Sequence, residues 1–151
     1  MIPSVLSSSR ILKEDIVLFE KIGEAVRALP DVNLGVGADE KKIVLSCHIL
    51  ARALAQVFSL EFKDGYFYQN FDHSWLITPH DNIIDAYPVG MLVGSNGGPI
   101  LMSGSLCSPA RWLYKERKEV TKRFLARWNN NAVNKIIELL QCNEREVMDN
   151  D

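Results

Sequence analysis

The stretch of residues 47–90, CHILARALAQVFSLEFKDGYFYQNFDHSWLITPHDNIIDAYPVG, changes its hydrophobic period midway. Its first part belongs to a run, 45–58, in which Cys47, Ala51, Leu54, Ala55 and Phe58 recur at helical spacing, predicting a helix with one small, apolar face. The alanines allow that face to approach a sheet closely. Lys63-Asp64-Gly65 predicts a turn. Three strand-like runs follow. Residues 65–71 are aromatic (Tyr66, Phe67, Tyr68, Phe71). Residues 72–78 alternate, with His73 and Trp75 on one face and Ser74 and Leu76 on the other. Residues 83–87 form the third run, after a turn through Pro79, His80, Asp81 and Asn82. Short loops between such runs predict an antiparallel meander. The expected fold is therefore α+β, with helices packed on one small antiparallel sheet and the cysteine-bearing helix against the strands.

The flanks add helices. Ile11, Leu12, Leu18, Phe19, Ile22, Val26 and Leu29 recur at three- and four-residue steps, with Asp15 the polar exception, predicting a helix over 11–29. Pro30 and Asp31 end it, and Asn33, Gly35 and Gly37 make a loop. The start of the cysteine helix has two readings. With Ser46 as N-cap, Cys47 opens the helix and its dipole favours a thiolate. With Asp39 as cap, Ile43, Val44 and Leu45 extend the helix upstream and Cys47 lies inside it. Residues 88–99 are glycine-rich but lack the GK[ST] ending of a phosphate loop, and read as a loop over the site. Ser108-Pro109 resembles a cap and first-turn proline, ahead of a basic helix over 110–128. Asn129-Asn130-Asn131 breaks it, and 132–140 form a last short helix. Residues 1–9 are expected to be a loose or docked arm, and the acidic tail 143–151 to be loose. No internal repeat or linker divides the chain, so 1–151 is read as one domain.

Bulk properties narrow the function. At 151 residues, 47% hydrophobic and 24% charged, the chain can bury a core without staples. A net charge of -2 gives no general attraction to nucleic acid or anionic membrane. The three cysteines, Cys47, Cys107 and Cys142, are odd in number, widely spaced and without a CxxC pair, which argues against a disulfide framework or a structural zinc. A Cys47–His48–His73–His80 metal set has no recognised ligand spacing. No cofactor is expected. The N-terminus lacks a basic region followed by a long apolar run, and no apolar run is long enough to span a membrane. A cytoplasmic setting fits best, with export as an effector without a cleaved signal left open.

Cys47, His73 and Asp85 are the residue types of a thiol nucleophile, its base, and the group that orients the base. A helix packed on the meander would bring the cysteine to His73, and pairing about the Asp81-Asn82 turn would set His73 and Asp85 at about the same level. The Cys47 amide and one further donor would hold an oxyanion. Trp75 would donate its indole N–H or wall the pocket. Taken alone, Cys47 reads first as a buried apolar cysteine, and His73 and Asp85 shift that reading toward a nucleophile. His48 points about 100° from Cys47 on a helix and reads as a surface or satisfied histidine. His80 reads as solvated, and Asp72 as facing away from His73. Cys107 reads as core or loop. A second hypothesis is a non-catalytic binding module using Tyr66, Phe67, Tyr68, Phe71 and Trp75. A third is an adaptor using the basic run Arg111, Lys115, Arg117, Lys118, Lys122, Arg123 and Arg127, whose bland reading is a solvated helix face.

Cys47 opening a small-residue helix, then DHSWL at 72–76, then IIDAYPVG at 83–90, resembles the transglutaminase-like branch of the papain-fold superfamily. The likeness covers roughly a third of the chain. In that family a helix-borne cysteine, a strand histidine closely followed by tryptophan, and an aspartate on the next strand form the triad. It implies roles for Cys47, His73 and Asp85 in acyl transfer through a thioester. The family spans peptidases, amidases, deamidases and crosslinking enzymes, which implies a protein, peptide or small amide substrate. Papain-type members place a glutamine shortly before the cysteine; residues 39–42 here are Asp-Glu-Lys-Lys.

Overall fold

The computed structural model describes residues 4–6, 11–37, 39–86, 99–105, 108, 110–127 and 130–149. The chain runs β1 (Ser4–Leu6), α1 (Lys13–Arg27), α2 (Cys47–Val57), β2 (Glu61–Phe67), β3 (Phe71–Ile77), β4 (Ile83–Asp85), β5 (Ile100–Met102), α3 (Ala110–Leu113), β6 (Tyr114–Glu116), α4 (Lys118–Arg127) and α5 (Asn130–Asp149). Among the described residues the strands form one sheet in the order β1-β5-β4-β3-β2-β6. All neighbours are antiparallel except β1 with β5. The fold is α+β. No helix of the described residues is long and apolar enough to cross a membrane.

Strand alternation divides the interior in two. Leu76, Ile84 and Leu101 face a large core built with Phe19 and Ile22 of α1, Ile49, Leu50 and Leu54 of α2, Phe124 of α4 and Ile136 of α5. Phe67, Trp75, Ile83, Ile100, Met102 and Tyr114 face a smaller cluster closed by Ala110 and Leu113 of α3. The helices thus concentrate on one face, and α2 packs on β3.

The start of α2 is settled by what precedes it. Val36 bridges Lys42, and the Ile43 amide donates to Gly35 O at 2.9 Å, so 35–43 fold back as a small extended loop. Asp39 accepts from the Lys41 amide at 3.2 Å and caps a turn, not a helix. Ser46 is the N-cap, and its hydroxyl accepts from the Ile49 amide at 3.3 Å. A cap contributes about 1 kcal/mol, whereas burying Ile49 or Leu54 contributes about 2 kcal/mol each. Packing sets the helix register, and the cap marks its end.

Several expectations are corrected. Lys63-Asp64-Gly65 is not a turn but the middle of β2. Asp64 is buried there and paired, as described below. A Cβ on Gly65 would lie 1.9 Å from Lys115 O, so the glycine serves the close approach of β6. The actual hairpin turn lies at residues 68–70, where Tyr68 and Gln69 adopt φ of 44° and 64°. The turn after β3 is centred on His80, with the Thr78 amide donating to Asn82 O. Asp15, the polar exception on α1, fixes it: Thr78 Oγ1 and Asn82 Nδ2 both donate to Asp15 Oδ2, at 2.9 and 2.6 Å. The basic helix expected over 110–128 is interrupted by β6, which pairs with β2 and turns Tyr114 into the smaller core. The last helix, expected at 132–140, runs from Asn130 to Asp149 and takes in most of the tail expected to be loose. Residues 4–6 of the expected arm pair with β5. The glycine-rich residues 88–98, Tyr87 and Cys107 lie outside the described residues. Ser108 does accept from the Ala110 amide, at 3.2 Å.

Gly65→Ala should separate β6 from β2 and destabilise the protein by about 1–3 kcal/mol, the usual range for overpacking. The fall in thermal melting temperature measures it, and an unchanged melting temperature would show that β6 yields freely.

Candidate active site

Three elements converge on one sulfur. Cys47 is the first residue of α2, where the helix amides have no intrahelical acceptor and the dipole favours negative charge. His73 lies on β3 and Asp85 ends β4. The observed register opposes Leu76 to Ile84 and Ile77 to Ile83. Carried forward, that register sets Asp85 level with Trp75, so His73 is its diagonal neighbour, whereas pairing about Asp81-Asn82 would have set Asp85 opposite Thr78, five residues from His73. The two side chains share a face, and a diagonal is within reach of long side chains. His73 Nε2 meets Asp85 Oδ2 at 2.7 Å, and the Cys47 thiol and the His73 ring shift each other's protonation. With Nε2 committed to Asp85, Nδ1 is the nitrogen left for sulfur.

Cys47 sits on the helix side of the sheet while His73 faces the smaller core. Among the described residues β4 pairs with β3 at Leu76 and Ile77, and α2 packs on β3. A cleft lined by Cys47, Ala51, Ser74, Trp75, Leu76 and Ala86 lies against the thiol and is too narrow to hold a water.

The environment of each group is specific. His73 and Asp85 are 3% and 0% exposed. Trp75 stacks on His73 with centroids 6.3 Å apart, Phe67 meets it edge-on at 5.8 Å, and Tyr114 lies 6.3 Å away. Trp75 thus walls the site. Tyr114 donates to Asp85 Oδ2 at 2.8 Å. Burial and the adjacent Asp85 charge push the Tyr114 phenol well above its ordinary value, so it remains a donor. Asp85 Oδ1 is buried without a partner among the described residues.

Burial pushes the Cys47 thiol up, but hydrogen bonds and charge from His48 and His73 outweigh it and bring it down to about 6. Burial pulls His73 down, but the Asp85 charge and hydrogen bond, with Cys47 adding to them, raise it to about 10. Between those values the resting pair is thiolate and imidazolium.

Of the two readings of His48, surface or satisfied, the second holds: it is buried, its Nδ1 lies 2.6 Å from Ser74 Oγ, and it is among the influences that lower the Cys47 thiol. Ser74 in turn donates to Asp64. Asp64 also accepts two bonds from Arg52, at 3.0 and 2.7 Å, and one from Thr121 at 2.7 Å. Burial raises the Asp64 carboxyl, yet these partners hold it below its ordinary value. Arg52 is itself held over the rings of Phe62 and Phe124. His48, Ser74, Asp64 and Tyr114 are the site residues that pattern reading missed. The one available signal was strand alternation, which puts Ser74 on the face toward α2.

The remaining candidates lie elsewhere. His80 is exposed. Asp72 pairs with Arg123 at 3.0 Å on the outer surface. Phe67 and Trp75 of the aromatic set are core, while Tyr68 and Phe71 are exposed. Lys115, Arg117, Lys118, Lys122 and Arg123 are solvated; the side chains of Arg111 and Arg127 are outside the described set. No group of three histidine, cysteine or acidic residues among the described residues could hold a metal ion. No protein-family model, curated protein or solved structure matches the chain.

Iodoacetamide should label Cys47 with a half-maximal rate near pH 6, the value its environment sets. Exposed Cys142 serves as the comparison within the same chain. Identical pH profiles by peptide mass spectrometry would refute the ion pair.

Proposed function

We propose that this chain is a cysteine-nucleophile hydrolase or acyltransferase acting on amide bonds of a protein, peptide or small amide. Cys47 is the nucleophile, His73 the general acid and base, and Asp85 the residue that orients and charges His73. One observation carries the reading: the His73 ring is bonded to buried Asp85 at 2.7 Å, and this imidazole is among the groups that lower the Cys47 thiol. The order of these groups along helix and strands supports placing the fold with the transglutaminase-like, papain-type proteins.

The chemistry follows from the protonation states. The Cys47 thiolate attacks the carbonyl carbon, and negative charge develops on the carbonyl oxygen. The Cys47 amide, at the first turn of α2, is positioned to stabilise that oxyanion. His73, protonated at rest, gives its proton to the leaving amine, and a thioester remains on Cys47. The neutral ring then takes a proton from water or an acceptor amine, whose attack releases the acyl group. Asp85 keeps the ring in one orientation and stabilises its charged form. Tyr114 holds Asp85 from the other side.

The direct test uses p-nitrophenyl acetate as an activated acyl donor. A burst of one equivalent of p-nitrophenol per chain, with acetyl on Cys47 by mass, is expected. Absence of both from folded protein would sink the reading. Asp85→Asn keeps the shape but removes the charge, and should slow turnover on the order of a hundredfold to ten-thousandfold. The wild-type rate should be bell-shaped in pH. Its lower limb marks thiolate formation near about 6, and its upper limb loss of the imidazolium near about 10.

A further inference from the structure

A second imidazole follows the cysteine directly in the chain. His48 is 8% exposed, is among the influences that lower the Cys47 thiol, and places Nδ1 2.6 Å from Ser74 Oγ. The Ser74 hydroxyl has a single hydrogen, and it goes to the Asp64 carboxylate. The contact with His48 therefore needs its hydrogen from the ring, so Nδ1 is the protonated nitrogen. In the neutral ring Nε2 is then the acceptor. Asp64 Oδ1 stands 4.0 Å from Nδ1. On the α2 face, imidazole, hydroxyl and carboxylate thus repeat what His73 and Asp85 form directly on the other face.

We propose that His48 is a fourth catalytic residue, a second proton acceptor and hydrogen-bond partner for the Cys47 sulfur, held in place by Ser74 and Asp64. This deepens the cysteine-nucleophile reading and rests on it. When the S–H bond breaks toward His48, the proton moves to the ring and leaves a thiolate beside an imidazolium. The Nδ1–H of that ring stays on Ser74, and the Asp64 carboxylate balances its charge.

Geometry ranks the two rings. Asp85 binds His73 directly at 2.7 Å. Asp64 is committed to Arg52 and Thr121 and reaches His48 only through a hydroxyl. His73 is therefore the main acid and base, and His48 keeps the sulfur ionised. Among the described residues, the groups at His48 include Cys47 from its own helix, Arg52, which donates to the His48 carbonyl, Asp64 from β2, Ser74 from β3, and the Phe124 ring from α4 at 6.2 Å. Beyond the sulfur lies His73. The environment of Cys47 is consistent with this, since His48 is the leading influence lowering its thiol.

The test is the pH midpoint of Cys47 alkylation by iodoacetamide in the full chain, with folding checked by circular dichroism. His48→Asn retains a donor for Ser74 but cannot take a proton. It should raise the midpoint by about one pH unit, a tenfold loss of thiolate at low pH. Ser74→Ala should move it the same way by less. His73→Gln alone should leave the midpoint below the ordinary thiol value, and the double variant should restore that value. A low wild-type midpoint unmoved by both His48→Asn and Ser74→Ala overturns the role of His48 and leaves His73 and Asp85 in theirs. An ordinary wild-type midpoint overturns both. If His48→Asn does not fold, Ser74→Ala, which loses only a hydroxyl, decides.

Discussion

Asp85 is wholly buried, and a carboxylate there without partners would destabilise the fold by several kcal/mol. The smaller core is arranged around that constraint. His73 and Tyr114 both donate to one of its oxygens, and three aromatic rings enclose the imidazole. Tyr114 reaches Asp85 only because β6 pairs with β2, and that pairing needs the bare backbone of Gly65. The same groups that make the charge tolerable hold His73 protonated and aimed at sulfur. In the proposed mechanism, stability and reactivity share one interaction.

A second buried carboxylate repeats the logic on the opposite face. Asp64 is held by Arg52, Ser74 and Thr121, from α2, β3 and α4. It pins the cysteine helix to the sheet at one end of its buried face, while Ile49, Leu50 and Leu54 bury the rest. Asp15 does similar work at the turn after β3, holding Thr78 and Asn82 and so setting which residues of β3 and β4 oppose each other. Three acidic side chains in the interior thus fix the helix register, the strand register and the ring orientation.

Much of the architecture was legible from pattern. Helical spacing found α1 and α2, and alternation put His73 with Trp75 and Ser74 with Leu76, as the two cores display. What failed had a common cause. Lys63-Asp64-Gly65 carries turn chemistry, yet ion pairing and the approach of a neighbouring strand keep it extended. Residues 114–116 carry helix-compatible side chains, yet the unpaired edge of β2 recruits them as a strand. In both places a long-range partner overrode a local preference worth a few tenths of a kcal/mol to about one.

By itself the sequence determined the residue types at the site and the faces they occupy, because a period of two or of 3.6 is a local property of the backbone. Which groups touch was decided only by tertiary structure. The turn centred on His80 set Asp85 diagonal to His73, and the packing of α2 on β3 brought the helix-side thiol to that strand. The place of His48 beside the sulfur depends on Ser74 and Asp64, sixteen or more residues away along the chain, and no local pattern records a hydrogen bond across that distance.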